Sequence, residues 1–302
     1  MAGAFVFAGF VALRLAGNWP SVLATLFIVG MGFGTIIQRL NYLFAGGFGD
    51  RSLSMMQFLN AAYNVGTILG PLIIGSFHPP IRALYTVIAT AALVLLPMGI
   101  LAERNAAGTR RPITPRPADT QQGPIRIRLL IGFTAMMIMI IGVEHSIAGW
   151  LATLSRALGL SGSIAANLTA LFFALIFSGR LLAAITRGRF DAVFTVFSSI
   201  VGVAGCVAIS LVPGATPYAL ALAGFAIAPY FSATLVWRGR ALSHSTAANS
   251  IALCGAILGS AVFAPLVGRV IEHFGSAAAP LAILMIASGG FIVCLWLRRR
   301  CR

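Results

Sequence analysis

The chain has 302 residues, of which 59% are hydrophobic and 9% are charged, and its formal net charge is +15. Soluble domains carry about 25% charged residues, so this composition excludes a water-soluble globule, which would have to hide far more apolar surface than its interior holds. All 21 basic residues are arginines in short gaps between long apolar runs, which argues against a solvated nucleic-acid-binding face.

Apolar runs of about 20 residues, the length that crosses about 30 Å of hydrocarbon, predict ten transmembrane helices. These runs show no two-residue alternation, so spanning strands are excluded and the protein is predicted to be an all-α polytopic membrane protein. The predicted spans are 2–16, 21–45, 53–77, 84–102, 129–154, 163–185, 193–212, 218–237, 247–268 and 280–297.

Arginines are distributed unequally between the two faces that these spans define. Fifteen lie on one face and three on the other, and basic residues favour the cytoplasmic side. The fifteen include Arg238 and Arg240, interpreted as loop residues after the eighth span. This asymmetry predicts a multi-pass protein of the cell membrane, in bacteria the inner membrane, with both termini in the cytoplasm.

A polar segment at 103–128 separates four predicted spans from six. It contains four prolines and six arginines, and proline at this density disfavours a regular helix and favours a solvated cytoplasmic linker. The predicted domains are therefore an incomplete four-helix half at 1–102, the linker at 103–128 and a six-helix half at 129–302.

A possible internal repeat relates the third predicted span to the ninth. Residues 60–70 and 249–259 agree at five of eleven positions, although chance agreement is an open alternative in a chain so rich in Gly, Ala, Ile and Leu. A shift of six helices keeps the two copies parallel, as in transporters built from two six-helix halves. Inverted five-helix repeats would be shifted by five.

Four short motifs resemble helices of the major facilitator superfamily, namely its fourth, fifth, seventh and eighth. They are GMGFG at 30–34, GTILGP at 66–71, GVEHSIAGWL at 142–151 and SGRLL at 178–182. The third motif is similar to the fucose and glucose permease branch. The resemblance implies a major facilitator-like bundle that lacks counterparts of the superfamily's first two helices. It also implies secondary transport rather than enzymatic activity.

Glu144 is the only acid within a predicted span. An ionised carboxylate in hydrocarbon is costly unless it pairs or takes a proton, so Glu144 is a candidate proton-coupling group and the adjacent His145 a candidate relay. The alternative interpretation is structural, with Glu144 hydrogen-bonded to nearby backbone.

Polar side chains follow one face of the third predicted span, where Gln57, Asn60 and Asn64 are spaced three and four residues apart. Such a face avoids lipid, so it meets other helices or lines a path for a polar solute. Further candidate solute contacts are Gln38, Arg39 and Asn41 in the second span and Trp150 after Glu144. Arg39 snorkelling to headgroups and Trp150 anchoring at the interface are the open alternatives.

Arg180 lies near the end of its span, where it is a candidate gating residue or headgroup contact. The four cysteines predict neither a disulfide nor a metal site, and no nucleotide fingerprint predicts a cofactor. The leading hypothesis is proton-coupled symport of a small polar solute, a sugar by resemblance. Proton-coupled efflux of amphipathic compounds and an inactive truncated transporter are the alternatives. The expected partners are the solute, protons and the lipid bilayer, with no nucleic acid.

Overall fold

The computed structural model describes residues 2–77, 80, 82–94, 124–186, 190–212, 214–242 and 246–301. Every regular element among these residues is helical. The α-helices are α1 (Ala2–Leu15), α2 (Trp19–Gly46), α3 (Ser52–Phe77), α4 (Arg82–Val94), α5 (Pro124–Ala157), α6 (Gly162–Ile185), α7 (Ala192–Ile209), α8 (Thr216–Ile227), α9 (Tyr230–Leu242), α10 (Thr246–Phe274) and α11 (Ala279–Arg300).

Seven helical segments in the described ranges are long and apolar enough to cross a membrane. They are Trp19–Ala45, Ile127–Ala157, Gly162–Ile185, Ala192–Ile209, Thr216–Leu242, Ala247–Phe274 and Ser276–Arg300. A multi-pass membrane protein is thereby confirmed. A described helix lies in each of the ten predicted spans, but the count of ten transmembrane helices stays a prediction.

The predicted linker lies mostly outside the described residues. Its last five residues, 124–128, belong to α5, which begins at Pro124. Proline is tolerated at the first position of a helix because the missing N–H has no partner there in any case. The division of the chain into a four-helix and a six-helix half stays a prediction.

By internal contacts the chain forms two compact units, and the boundary between them cuts α2 and α3. The first unit comprises residues 1–43 and 70–117. Within it α1 packs closely on α2 at Gly32. A Cβ at this position would come within 2.7 Å of the carbonyl oxygen of Ala2, so the close approach requires glycine. Arg14 Nη1 donates to Thr86 Oγ1 at 3.1 Å, which ties α1 to α4.

The second unit comprises residues 44–69 and 118–302 and contains most of the buried core. Its central element is α5, which contacts α6, α8, α9, α10 and α11. The fully buried residues of α5 recur every three or four positions, as expected for one helical face turned to the interior. They include Phe133, Met137, Ile140, Ile147 and Leu151.

Proline interrupts the helical span between α8 and α9. Pro229 has no N–H to donate, and its ring collides with the carbonyl four residues earlier, so α8 ends at Ile227 and α9 begins at Tyr230. Polar groups at such a break require partners, because lipid supplies none. The break is therefore a point where other helices are expected to contribute hydrogen-bonding side chains.

Glycines on α10 allow it to approach α5 closely. A Cβ at Gly255 would meet Thr134 Cγ2 at 2.6 Å, and a Cβ at Gly259 would overlap the backbone of Ile138. Gly66, which corresponds to Gly255 in the proposed repeat, differs: a Cβ there would meet no described heavy atom within 4 Å. Of these two corresponding glycines, Gly255 is the one with a close helix contact among the described residues.

We expect Gly259→Ala to destabilise the protein by about 1–3 kcal/mol, because the added methyl group forces α10 away from α5. Gly205→Ala on α7 is the matched control, since a Cβ at Gly205 meets nothing within 4 Å. Thermal unfolding in detergent would compare the two variants. Equal unfolding temperatures would contradict the close contact between α5 and α10.

Candidate functional site

Arg180 lies near the C-terminal end of α6 and is almost fully buried. Its Nε donates to Ala228 O at 3.2 Å, and its Nη1 donates to Asn64 Oδ1 at 2.8 Å and to Asn60 O at 3.2 Å. A buried guanidinium needs such acceptors because an unpaired charge in the interior is costly. Arg180 therefore connects α6 to α3 and to the break between α8 and α9.

The glycine before Arg180 explains how α6 reaches this break. A Cβ at Gly179 would lie 2.7 Å from Ala228 Cβ and 2.8 Å from Phe225 O, both closer than real contacts allow. Only a residue without a side chain lets the two backbones meet here. The Gly179-Arg180 pair therefore places a cation directly against the interrupted helix.

Glu144 of α5 also lies close to Arg180. Its Oε1 lies 4.0 Å from Arg180 Nη2, and the two side chains are 15% and 7% exposed. This distance gives a Coulombic attraction but exceeds hydrogen-bond length. Arg180 is the one polar partner found for Glu144 in the described part of the chain, and no backbone hydrogen bond to the carboxylate is found there. The contact between Glu144 and Arg180 is therefore an attraction between charges without a short hydrogen bond.

The polar face of α3 packs against other helices. Gln57 Nε2 donates to Pro229 O at 3.0 Å, and Asn60 Nδ2 donates to Ser232 Oγ at 3.1 Å. Gln57 and Asn64 are both buried. Of the two interpretations of this face, interhelical hydrogen bonding accounts for the observed contacts. Gln57, Asn60 and Asn64 together hold α3 against α6 and the α8–α9 break.

His145 and Trp150 follow Glu144 on α5 but do not join its cluster. The His145 side chain is exposed, and its Nδ1 lies 3.0 Å from Ile141 O of the same helix. Trp150 Nε1 donates to Ala264 O of α10 at 2.8 Å, and its ring fills the space left by Gly268. Trp150 therefore ties α5 to α10.

The candidate solute contacts of α2 belong to the first unit. Asn41 is buried, and its Nδ2 donates to Ile37 O within the same helix at 2.9 Å. Gln38 is half-buried and Arg39 is exposed. The exposed side chain of Arg39 is compatible with both interpretations, binding of an anionic group and snorkelling.

The interpretation of Arg238 as a loop residue is wrong. The helix continues past the predicted span end to Leu242, and the Arg238 side chain is 1% exposed inside the bundle. Its neighbour Arg240 points outward instead, where its Nη1 lies 2.7 Å from Asp191 Oδ1. Residues two apart lie on different faces of a helix, so the two arginines have different surroundings. Charge counting along the sequence does not make this distinction.

A mainly apolar cavity of about 290 Å³ opens beside Gln57. It lies between the start of α3, the end of α6, the start of α7 and the α8–α9 break. Leu182, Phe190 and Phe194 form part of its apolar lining, and Thr186 and Ser198 add hydroxyl groups. The cavity has room for a small amphipathic molecule.

Comparison with known proteins gives a clear result for the fold. No protein-family model and no curated protein sequence matches the chain. Among solved structures, the major facilitator transporter FucP in the outward conformation is 15% identical, with a TM-score of 0.77, over 98% of this chain and 83% of that chain. A variant of the Escherichia coli fucose:proton symporter FucP is 17% identical, with a TM-score of 0.76, over 98% and 84%.

A third similar structure is the human organic anion transporter TETRAN. It is 16% identical, with a TM-score of 0.74, over 97% of this chain and 75% of that chain. At these identities the similarity concerns the fold, and all three structures are transporters rather than enzymes. The chain therefore has the fold of the major facilitator superfamily, as its motifs at 30–34, 66–71, 142–151 and 178–182 predict.

Proposed function

We propose that the chain is a secondary transporter that moves a small polar solute together with protons. Glu144 is the proton-binding group in this proposal, and Arg180 is its counter-charge and the gating residue. The fold supports transport, since the similar structures include a fucose:proton symporter. A sugar is accordingly the first solute class to test.

The observation that carries this proposal is the buried pair of Glu144 and Arg180, separated by 4.0 Å. Protonation of Glu144 removes its charge and with it the attraction to Arg180. The guanidinium also has acceptors on α3 and at the α8–α9 break, which do not depend on the charge of Glu144. Proton binding therefore changes the force between α5 and the helices that Arg180 holds.

This change of force provides a physical link between proton binding and helix movement. When Glu144 is ionised, its attraction holds Arg180 toward α5. When Glu144 is protonated, the contacts of Arg180 with Asn64 and Ala228 dominate. A transporter that rocks between two arrangements needs such a bias from the coupled ion.

The solute contacts in this proposal come from polar and aromatic side chains on several helices. In the first unit the candidates are Gln38, Arg39 and Asn41, and in the second unit they are Gln57, Asn60, Asn64 and Trp150. The amides supply both donors and acceptors, which suits a neutral hydroxylated solute. His145 remains a candidate second proton site beside Glu144. The proposed location is the bacterial inner membrane, with both termini in the cytoplasm.

Efflux of amphipathic compounds by proton antiport is the second candidate function. The cavity beside Gln57 favours it, because the lining of this cavity is mainly apolar with a few hydroxyl groups. The similarity to an organic anion transporter also agrees with an amphipathic substrate. The two functions differ in the direction in which protons move relative to the solute.

Purified protein in liposomes that contain a pH-sensitive dye would distinguish the two functions. For symport we expect the lumen to acidify when one of a panel of hexoses, pentoses or polyols is added outside. Antiport would instead make the lumen alkaline upon addition of an amphipathic compound. Failure of every polar solute to move protons would contradict the symport proposal.

A further inference from the structure

Arg238 and Asn249 form a buried polar pair that makes no hydrogen bond to the Arg180 cluster among the described residues. Arg238 Nη2 donates to Asn249 Oδ1 at 3.0 Å, and the two residues are 1% and 0% exposed. Arg238 Nε and Nη1 and Asn249 Nδ2 have no hydrogen-bond partner among the described residues. The pair therefore presents three buried nitrogen donors without acceptors.

The charge of Arg238 is also uncompensated within the described ranges. Neither ion pair found there includes it, since Glu144 pairs with Arg180 and Asp191 pairs with Arg240. A buried cation without a counter-ion is costly, and buried donors without acceptors add to the cost. A bound anion would remove both costs together.

The surroundings of the pair favour a negative charge. Asn249 is the fourth residue of α10, so its hydrogen bond holds the guanidinium beside the first turn of this long helix. The dipole of a helix is positive at its N-terminal end. Arg238 and the start of α10 therefore supply positive potential from two independent sources.

We propose that Arg238 and Asn249, beside the positive end of the α10 dipole, bind a small inorganic anion such as chloride. The anion must be small, because residues that are 0–1% exposed leave no opening for an ion attached to a bulky group. The neutral amide of Asn249 and the guanidinium are both suitable donors to a halide. This site is independent of the proposed solute and proton sites.

Thermal unfolding of the purified chain in detergent tests this proposal. Chloride would be titrated at constant ionic strength against gluconate, which is too large for the site. We expect the unfolding temperature to rise by about 2–4 °C in chloride, because a ligand that binds only the folded state stabilises it. Arg238→Met should lose this response, whereas Arg240→Gln should retain it, since Arg240 is exposed.

Bromide allows a second measurement, which uses the unmodified chain and therefore does not require that a variant folds. Crystals of the unmodified chain grown in bromide should show an anomalous peak beside Arg238. The proposal fails if chloride and gluconate act alike and no bromide peak appears, which would mean that water alone solvates the pair. It also fails if Arg238→Met keeps the chloride response, or if an anionic phospholipid replaces chloride as the ligand.

Discussion

Replacement of Glu144 by Gln is expected to abolish solute accumulation driven by a pH gradient. A one-to-one symporter with the membrane potential clamped at zero concentrates a neutral solute up to about tenfold per pH unit. Gln resembles the protonated carboxyl but cannot release a proton, so the variant should equilibrate the solute without concentrating it. Exchange of labelled for unlabelled solute should continue, because exchange needs no net proton movement.

The control for this experiment is Glu272→Gln. Glu272 lies near the end of α10 and is exposed, so its loss removes one carboxylate without touching the cluster. Accumulation in liposomes should be normal in this variant. If a pH gradient still drives solute accumulation in Glu144→Gln, Glu144 is not part of the coupling mechanism.

Replacement of Arg180 by Gln is expected to have the second large effect, on both stability and transport. The variant loses bonds to Ala228 and Asn64 and leaves the Glu144 carboxylate without its counter-charge. Removal of one partner of a buried ion pair costs about 3–5 kcal/mol, although proton uptake by Glu144 reduces this value. Transport should fall to background because α6 loses the Arg180 hydrogen bonds that connect it to α3 and to the α8–α9 break.

A double variant separates the two contributions of Arg180. Glu144→Gln combined with Arg180→Gln removes both charges, so it should be more stable than Arg180→Gln alone. Arg240→Gln serves as the control and should change stability by less than about 1 kcal/mol, as expected for an exposed ion pair. Additive effects of the two substitutions would show that Glu144 and Arg180 do not interact.

Part of this site was predictable from residue spacing. The intervals of three and four residues between Gln57, Asn60 and Asn64 predict a common helical face, and the structure places all three in interhelical contacts. The position of Glu144 inside an apolar span predicts that its carboxylate pairs or takes a proton, because lipid does not tolerate free charges. Helical periodicity and solvation cost were sufficient for these predictions.

The partners of these side chains could not be predicted from the sequence. Two carbonyl oxygens of the α8–α9 break, those of Ala228 and Pro229, accept from Arg180 and Gln57. Backbone acceptors have no sequence signature, and their positions depend on where the chain folds back. Arg238 was missed for a related reason, since a helix that continues past its apolar run carries an arginine into the interior.

Infrared difference spectroscopy of the membrane-embedded protein would detect proton binding at Glu144 itself. A shift from alkaline to acidic pH should produce a protonated-carboxyl C=O band that is present in Glu272→Gln and missing from Glu144→Gln. This result would identify the proton site without knowledge of the solute. The same band, with full amplitude in Glu144→Gln, would show that another group binds the proton.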